Sequence, residues 1–135
     1  MNKYRFNWKK ATLILFLLIG YSSSTNAKLP TTIILNCYDG DTCTTIDGEK
    51  IRLACIDTPE LKGKKANPIK AKQARDFLNQ LVSNKKVSIR RITKDRFGRT
   101  VAELFKNDIN VQKLIIEKEY GKIYERYAYQ CEWTK

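Results

Sequence analysis

Three short β-branched runs, separated by nothing longer than an Asp-Gly turn, constrain this chain more than any other feature. Thr31 to Tyr38, Thr42 to Thr45 and Lys50 to Ile56 each have strand composition. Asp39-Gly40-Asp41 lies between the first two, and Asp47-Gly48 between the second and third. Such connections leave no room for a helix, so the three strands must run as an antiparallel meander. In the third run Ile51, Leu53 and Cys55 alternate with Arg52 and Ala54, which puts Arg52 on the face opposite the apolar one.

Asp57-Thr58-Pro59-Glu60 ends the meander, and a basic loop with Lys62, Lys64 and Lys65 follows. Asn67-Pro68 is a helix opening, a capping side chain followed by Pro in the first turn. Ala74, Phe77, Leu78, Leu81 and Val82 then line one helical face. Val87 to Ile92 and Thr100 to Lys106 are further strands, joined by the Asp95-Arg96-Phe97-Gly98-Arg99 turn. Asn110 caps a last short helix with Val111, Leu114 and Ile115 on one face, and Gly121 is expected to stop it. Five strands with a helix between the third and fourth fit a mainly β (α+β) five-stranded OB-fold barrel with two or three helices. Taken alone, the same order also fits an open α+β sheet.

The first 27 residues stand apart. Lys3, Arg5, Lys9 and Lys10 precede an apolar run from Ala11 to Ile19, and Thr25-Asn26-Ala27 offers small residues where a signal peptidase reads. The layout is that of a signal peptide over 1–27 cleaved near Ala27, and the run is short for a bilayer span. An uncleaved anchor is the other reading. One domain over 28–135 follows, secreted or periplasmic and with no membrane association in its mature form. The net charge of +12 falls to +8 once the four leader cations are set aside. That excess draws a small exported domain toward polyanions without choosing among nucleic acid, anionic lipid and wall polymer.

Four cysteines, Cys37, Cys43, Cys55 and Cys131, lie in the exported part, and three pairings are open to them. With no Cys-x-x-Cys and no histidine anywhere, zinc sites and imidazole chemistry are excluded. Hydrolysis by such a chain must rest on carboxylates, cations and a hard metal ion, which takes oxygen ligands. Asp41 opens the second strand and Asp57 closes the third, so an antiparallel meander can bring their carboxylates together. Glu60 follows on a chain redirected by Pro59, and Arg52 can reach the same mouth. Each element alone reads as an ordinary turn, cap or surface charge, and only their combination points to a site.

Tyr38-Asp39-Gly40-Asp41-Thr42, Ile51-Arg52-Leu53-Ala54-Cys55-Ile56-Asp57-Thr58-Pro59-Glu60 and Asp95-Arg96-Phe97-Gly98-Arg99 together resemble the staphylococcal (micrococcal) nuclease family. The resemblance runs from about Ile33 to Tyr127. It implies an OB-fold, a Ca2+ cofactor, and hydrolysis of DNA and RNA phosphodiester bonds that leaves 3′-phosphate ends. By the same resemblance Asp41, Asp57 and the carbonyl of Thr58 match the metal ligands. Glu60 matches the general base, and Arg52 and Arg99 the arginines that grip the phosphate. Tyr127, Tyr124 and Arg96 match positions near the bound substrate, with single strands preferred. A monomer without a stable protein partner is expected. The alternative function is a non-catalytic OB-fold module binding nucleic acid or another polyanion.

Three departures from the staphylococcal pattern stand out, one being the four cysteines, which the staphylococcal protein lacks, so any disulfide is extra. Arg96-Phe97 replaces a lysine and a tyrosine, so a phenol hydroxyl is lost. Family members also continue past the point matching Lys135 into a third helix, whose place Cys131-Glu132-Trp133 is expected to take in part, with a disulfide as one means.

Overall fold

A computed structural model describes residues 27–135, so the leader expected over 1–27 lies outside the described residues except for Ala27. The predicted meander is present as β1 (Thr31–Cys37), β2 (Thr42–Thr45) and β3 (Lys50–Leu53). The short β4 (Ile56–Asp57) follows, then helix α1 (Pro68–Val82), β5 (Lys85–Lys94) and β6 (Thr100–Lys106). The chain continues through β7 (Ile109–Asn110), α2 (Val111–Glu117) and β8 (Lys122–Ile123). Two 3₁₀ segments, Glu125–Gln130 and Glu132–Thr134, end it.

The sheet runs β3-β2-β1-β5-β6-β7, and a parallel pairing of β3 with β6 closes it. Five strands therefore form a closed barrel, as the element order predicts, and the open-sheet alternative is excluded. Closure is latched by Glu49, just ahead of β3. Its carboxylate accepts from Arg91 on β5 at 2.9 and 2.6 Å and from the Thr100 hydroxyl at the head of β6 at 2.8 Å. The Arg91 hydrogen bonds hold this carboxyl down at about 2.

Ile34, Ile51, Leu53, Ile56, Leu78, Ile89, Leu104 and Ile115 are fully buried in the core, each contributing about 1.5–3 kcal/mol. Helix α1 buries Ala71, Ala74, Leu78 and Val82, and the Asn67 side chain caps it by accepting from Lys70 N at 3.1 Å. Asn110 caps α2 in the same way through Lys113 N. The buried Gln112 ties α2 to β6, accepting from Leu104 N and donating to the Ala102 carbonyl.

Two expectations change. The third strand does not run unbroken to Ile56, because Cys55 sits in the left-handed region at φ +66° and turns the chain between β3 and β4. Ala54, which alternation places opposite the core, is buried in a second cluster with Cys55 and Cys131. Helix α2 is stopped not by Gly121 but by Glu119, which takes the left-handed position at φ +59°. Gly121 serves close approach instead: a Cβ there would lie 2.9 Å from the Asp57 carbonyl oxygen.

The cysteines pair as Cys37–Cys43 and Cys55–Cys131. The second bond fastens the C-terminal segment to the barrel. Buried Glu103 reinforces it, accepting from Arg90, from Asn110 Nδ2 at 3.1 Å and from Trp133 Nε1 at 2.8 Å.

Candidate active site

The turn between β1 and β2 carries Asp41 into the barrel mouth, where it is only 5% exposed. Gly40 makes that placement possible. A Cβ there would lie 2.7 Å from Ala74 Cβ on α1 and 2.8 Å from Thr58 Oγ1, so no larger residue fits. Asp41 Oδ2 accepts from Thr58 N at 3.2 Å and from Thr58 Oγ1 at 3.0 Å, and faces Arg52 Nη2 at 3.2 Å. Arg52 also donates to the Leu53 and Ile56 carbonyls at 2.6 and 3.0 Å, which fixes the guanidinium across the β3–β4 corner.

Arg99 joins this group from the hairpin between β5 and β6. Asp95 organises that hairpin, accepting from the backbone N–H of Phe97 and Arg99 and from Arg99 Nε at 2.7 Å. Arg99 Nη1 then reaches Thr42 Oγ1 at 3.4 Å, and Thr42 Oγ1 lies 3.2 Å from Asp41 Oδ1. Asp41, Arg52, Thr58, Thr42 and Arg99 thus form one hydrogen-bonded set across three strands and a hairpin. Burial raises the Asp41 carboxyl to about 6; Arg52 and the Thr58 hydrogen bonds lower it only in part.

Asp57 directly precedes Thr58 on β4, with its carboxylate half-exposed and 3.8 Å from Lys122 Nζ. Pairing of β4 with β8 sets Asp57 opposite Lys122. Beside them is a shallow depression lined by Asp57, Gly121, Lys122, Tyr124 and Arg126. Tyr124 and Tyr127 meet edge to face at 5.0 Å, both exposed. Arg96 lies over the exposed Phe97 ring at 4.7 Å from its centre. Glu60 is exposed, and no side-chain hydrogen bond or ion pair holds it among the described residues. The structure therefore brings Asp41, Arg52, Thr58 and Arg99 together and leaves Glu60 exposed, bonded to none of them.

Sequence reasoning missed Thr42, the bridge between Arg99 and Asp41, although it lies within the motif that drew attention to Asp41. Gly40 was visible only as a turn residue, and its contact with α1 has no local signal. Asp39, whose Oδ1 accepts from Asp41 N at 3.1 Å, also belongs to this turn.

Whether the site fits a hard cation can be judged from its donors. Asp41 is a buried carboxylate whose loss of water one arginine does not offset, and its neighbours supply oxygens rather than sulfur or imidazole. Among the described residues no three acidic, Cys or His side chains cluster. Oxygen donors of this kind suit calcium or magnesium, and Asp41 offers one, with Asp57 one residue before the Thr58 that bonds it. The residues fit.

A closed five-stranded barrel with a buried acid and two arginines at its mouth is an OB-type barrel. The chain belongs to the staphylococcal nuclease family: the family model "Staphylococcal nuclease homologue" matches residues 50–134. That match takes in Arg52, Asp57, Thr58, Glu60 and Arg99 but begins after Asp41. Among its relatives is an uncharacterized endonuclease of Escherichia coli, 30% identical over 98 residues, which are 70% of this chain and 61% of that protein. An uncharacterized protein of Bacillus anthracis is 34% identical over 97 residues, 67% of this chain and 45% of that protein. The staphylococcal-like nuclease CAN1 of Arabidopsis thaliana is 34% identical over 86 residues, 64% of this chain and 25% of that protein. The chain thus spans about half the length of the first two of these relatives.

Proposed function

We propose that this protein is an exported, calcium-dependent nuclease that hydrolyses phosphodiester bonds of DNA and RNA and leaves 3′-phosphate ends. The observation that carries this reading is the buried Asp41 carboxylate, tied through Thr58, Arg52 and Thr42 to a second arginine at one end of the barrel. A site for a phosphate alone would not hold a carboxylate between its two arginines. Asp41 there would repel the substrate unless it served to hold a cation.

Asp41 and Asp57, with the Thr58 carbonyl, would hold the calcium, which when bound neutralises phosphate charge and lowers the pKa of coordinated water. Arg52 and Arg99 are planar forks suited to phosphate oxygens, and charge that grows on those oxygens strengthens both contacts. Their side chains are largely shielded, and each is held by an acid, Asp41 or Asp95. Glu60, exposed and without a side-chain partner among the described residues, would take the proton from the attacking water. The exposed Tyr124, Tyr127 and Arg96 receive the flanking nucleotides, where stacking on an aromatic ring suits unpaired bases.

Export is supported by the two disulfides, which persist in oxidising compartments. Among the described residues no helix is long and apolar enough to cross a membrane. The test is to incubate the oxidised protein with denatured DNA and with RNA, in calcium and then in excess chelator. Cleavage that stops with the chelator is expected. Binding of either polymer without cleavage would support the non-catalytic module instead.

A further inference from the structure

Each of the two corners that carry the acids is bound by a disulfide. Cys37 and Cys43 face each other across β1 and β2, so their bond closes the neck of the turn bearing Asp39, Gly40 and Asp41. Cys55 and Cys131 are 76 residues apart, and their bond pins the corner with Arg52 on one side and Asp57 on the other. The first bond adds little to the fold as such. It joins strands that are already paired neighbours, and the short loop it closes gives it little chain entropy to remove.

Both corners hold conformations they would relax if free. Asp41 is a carboxylate kept from water, and an outward swing of its turn would rehydrate it. Besides the disulfide, side-chain contacts and two backbone bonds oppose that swing, Tyr38 N to the Thr42 carbonyl and Leu53 N to the Asp41 carbonyl, both at 2.8 Å. Cys55 is a non-glycine residue at φ +66°, a strained conformation that persists only where its surroundings impose it. Relaxation there would rotate the segment leading to Asp57 and Thr58. The Cys55 carbonyl accepts from Tyr124 N at 2.9 Å, so the same corner also sets the tyrosine-bearing tail.

We propose that the two disulfides are positioning elements of the cation site. Cys37–Cys43 keeps Asp41 in the barrel mouth, and Cys55–Cys131 holds the corner that presents Asp57 and the Thr58 carbonyl. This rests on the calcium reading given above. The site is completed when four thiols become two disulfides, their four electrons and four protons passing to two disulfides of an exchange partner, each released as two thiols. Calcium affinity is then coupled to cysteine oxidation, whereas barrel closure, which rests on β3–β6 pairing and the Glu49 latch, is not.

Calcium titration by calorimetry tests this on oxidised protein, on dithiothreitol-reduced protein, and on the paired variants C37S/C43S and C55S/C131S. Circular dichroism checks folding of each at low temperature. The reduced protein and both variants should fold and bind calcium about 10–100-fold more weakly, as when the support of a metal ligand is lost. Cleavage should need correspondingly more calcium yet approach the oxidised rate at saturation. Equal affinity in every form would overturn the proposal, leaving the bonds as staples. So would a variant that fails to fold at low temperature in saturating calcium. Absence of calcium binding by the oxidised protein is a separate result and defeats the calcium reading itself.

Discussion

Thr58 donates both its backbone N–H and its hydroxyl to a single carboxylate oxygen of Asp41, at 3.2 and 3.0 Å. The residue after one proposed calcium ligand is thereby fixed to the other, and two corners of the barrel become one site. Thr58→Val keeps the shape but removes one donor from a buried carboxylate. It should cost about 1–3 kcal/mol of stability, read by thermal denaturation, and weaken calcium binding. A variant as stable as the wild type would show that the hydroxyl contributes nothing to the site.

Arg52 and Glu60 should separate cleanly. Arg52 bonds two carbonyls and Asp41, so Arg52→Ala loses activity and destabilises the fold by roughly 1–3 kcal/mol. Alternation alone marks Arg52 only as a mouth-facing residue, which would predict little loss of folding; its carbonyl bonds change that expectation. Glu60 is exposed and unpaired among the described residues, so Glu60→Gln should shift stability by less than about 0.5 kcal/mol. As a general base it should still lower the rate about 10²–10⁴-fold. Near-normal turnover by Glu60→Gln would remove it from the chemistry.

Two carboxyls give opposite pH responses. Burial raises Asp41 from 3.8 to about 6, so the metal-free folded state binds a proton that the unfolded chain releases. Stability without metal should therefore fall as pH rises between those values, and calcium must displace the proton below about 6. Calorimetric affinity should weaken as pH drops through that value, and a flat profile would contradict the burial of Asp41. Glu49 is lowered from 4.5 to about 2, chiefly by Arg91. Its contribution, about 2 kcal/mol after allowance for solvent screening, is complete above 4.5 and lost as pH falls toward 2. The stability gap between wild type and Glu49→Gln should close over that range.

Gly40→Ala would force a methyl group against Ala74 and Thr58. Overpacking of this kind should cost about 1–3 kcal/mol, visible as a lowered melting temperature, and should displace Asp41 enough to weaken calcium binding. An unchanged melting temperature would mean that the turn does not rest on α1.

The barrel was legible because its signals are local. Asp-Gly turns, alternation around Arg52 and the Asn67 and Asn110 caps each act within a few residues, and their order limits the topology. The site was legible only as a pattern, since the Asp41 and Asp57 motifs each look like a turn until read together with Arg52 and Arg99. What stayed hidden depends on contacts distant in sequence. The left-handed turn at Cys55 sits at a bond to Cys131, the need for Gly40 comes from α1, and Thr42 becomes a bridge only when the β5–β6 hairpin folds over it. Gly121 misled for the same reason, because its small size serves the Asp57 carbonyl rather than the helix end.

The most direct measurement of the central claim follows a 5′-labelled single-stranded oligonucleotide through incubation with oxidised protein, and then determines the new chain ends. Cleavage in calcium, arrested by chelator and by Arg52→Ala, with products that carry 3′-phosphate, is the predicted result. No cleavage in calcium, cleavage indifferent to chelator, or products ending in 3′-hydroxyl would contradict it.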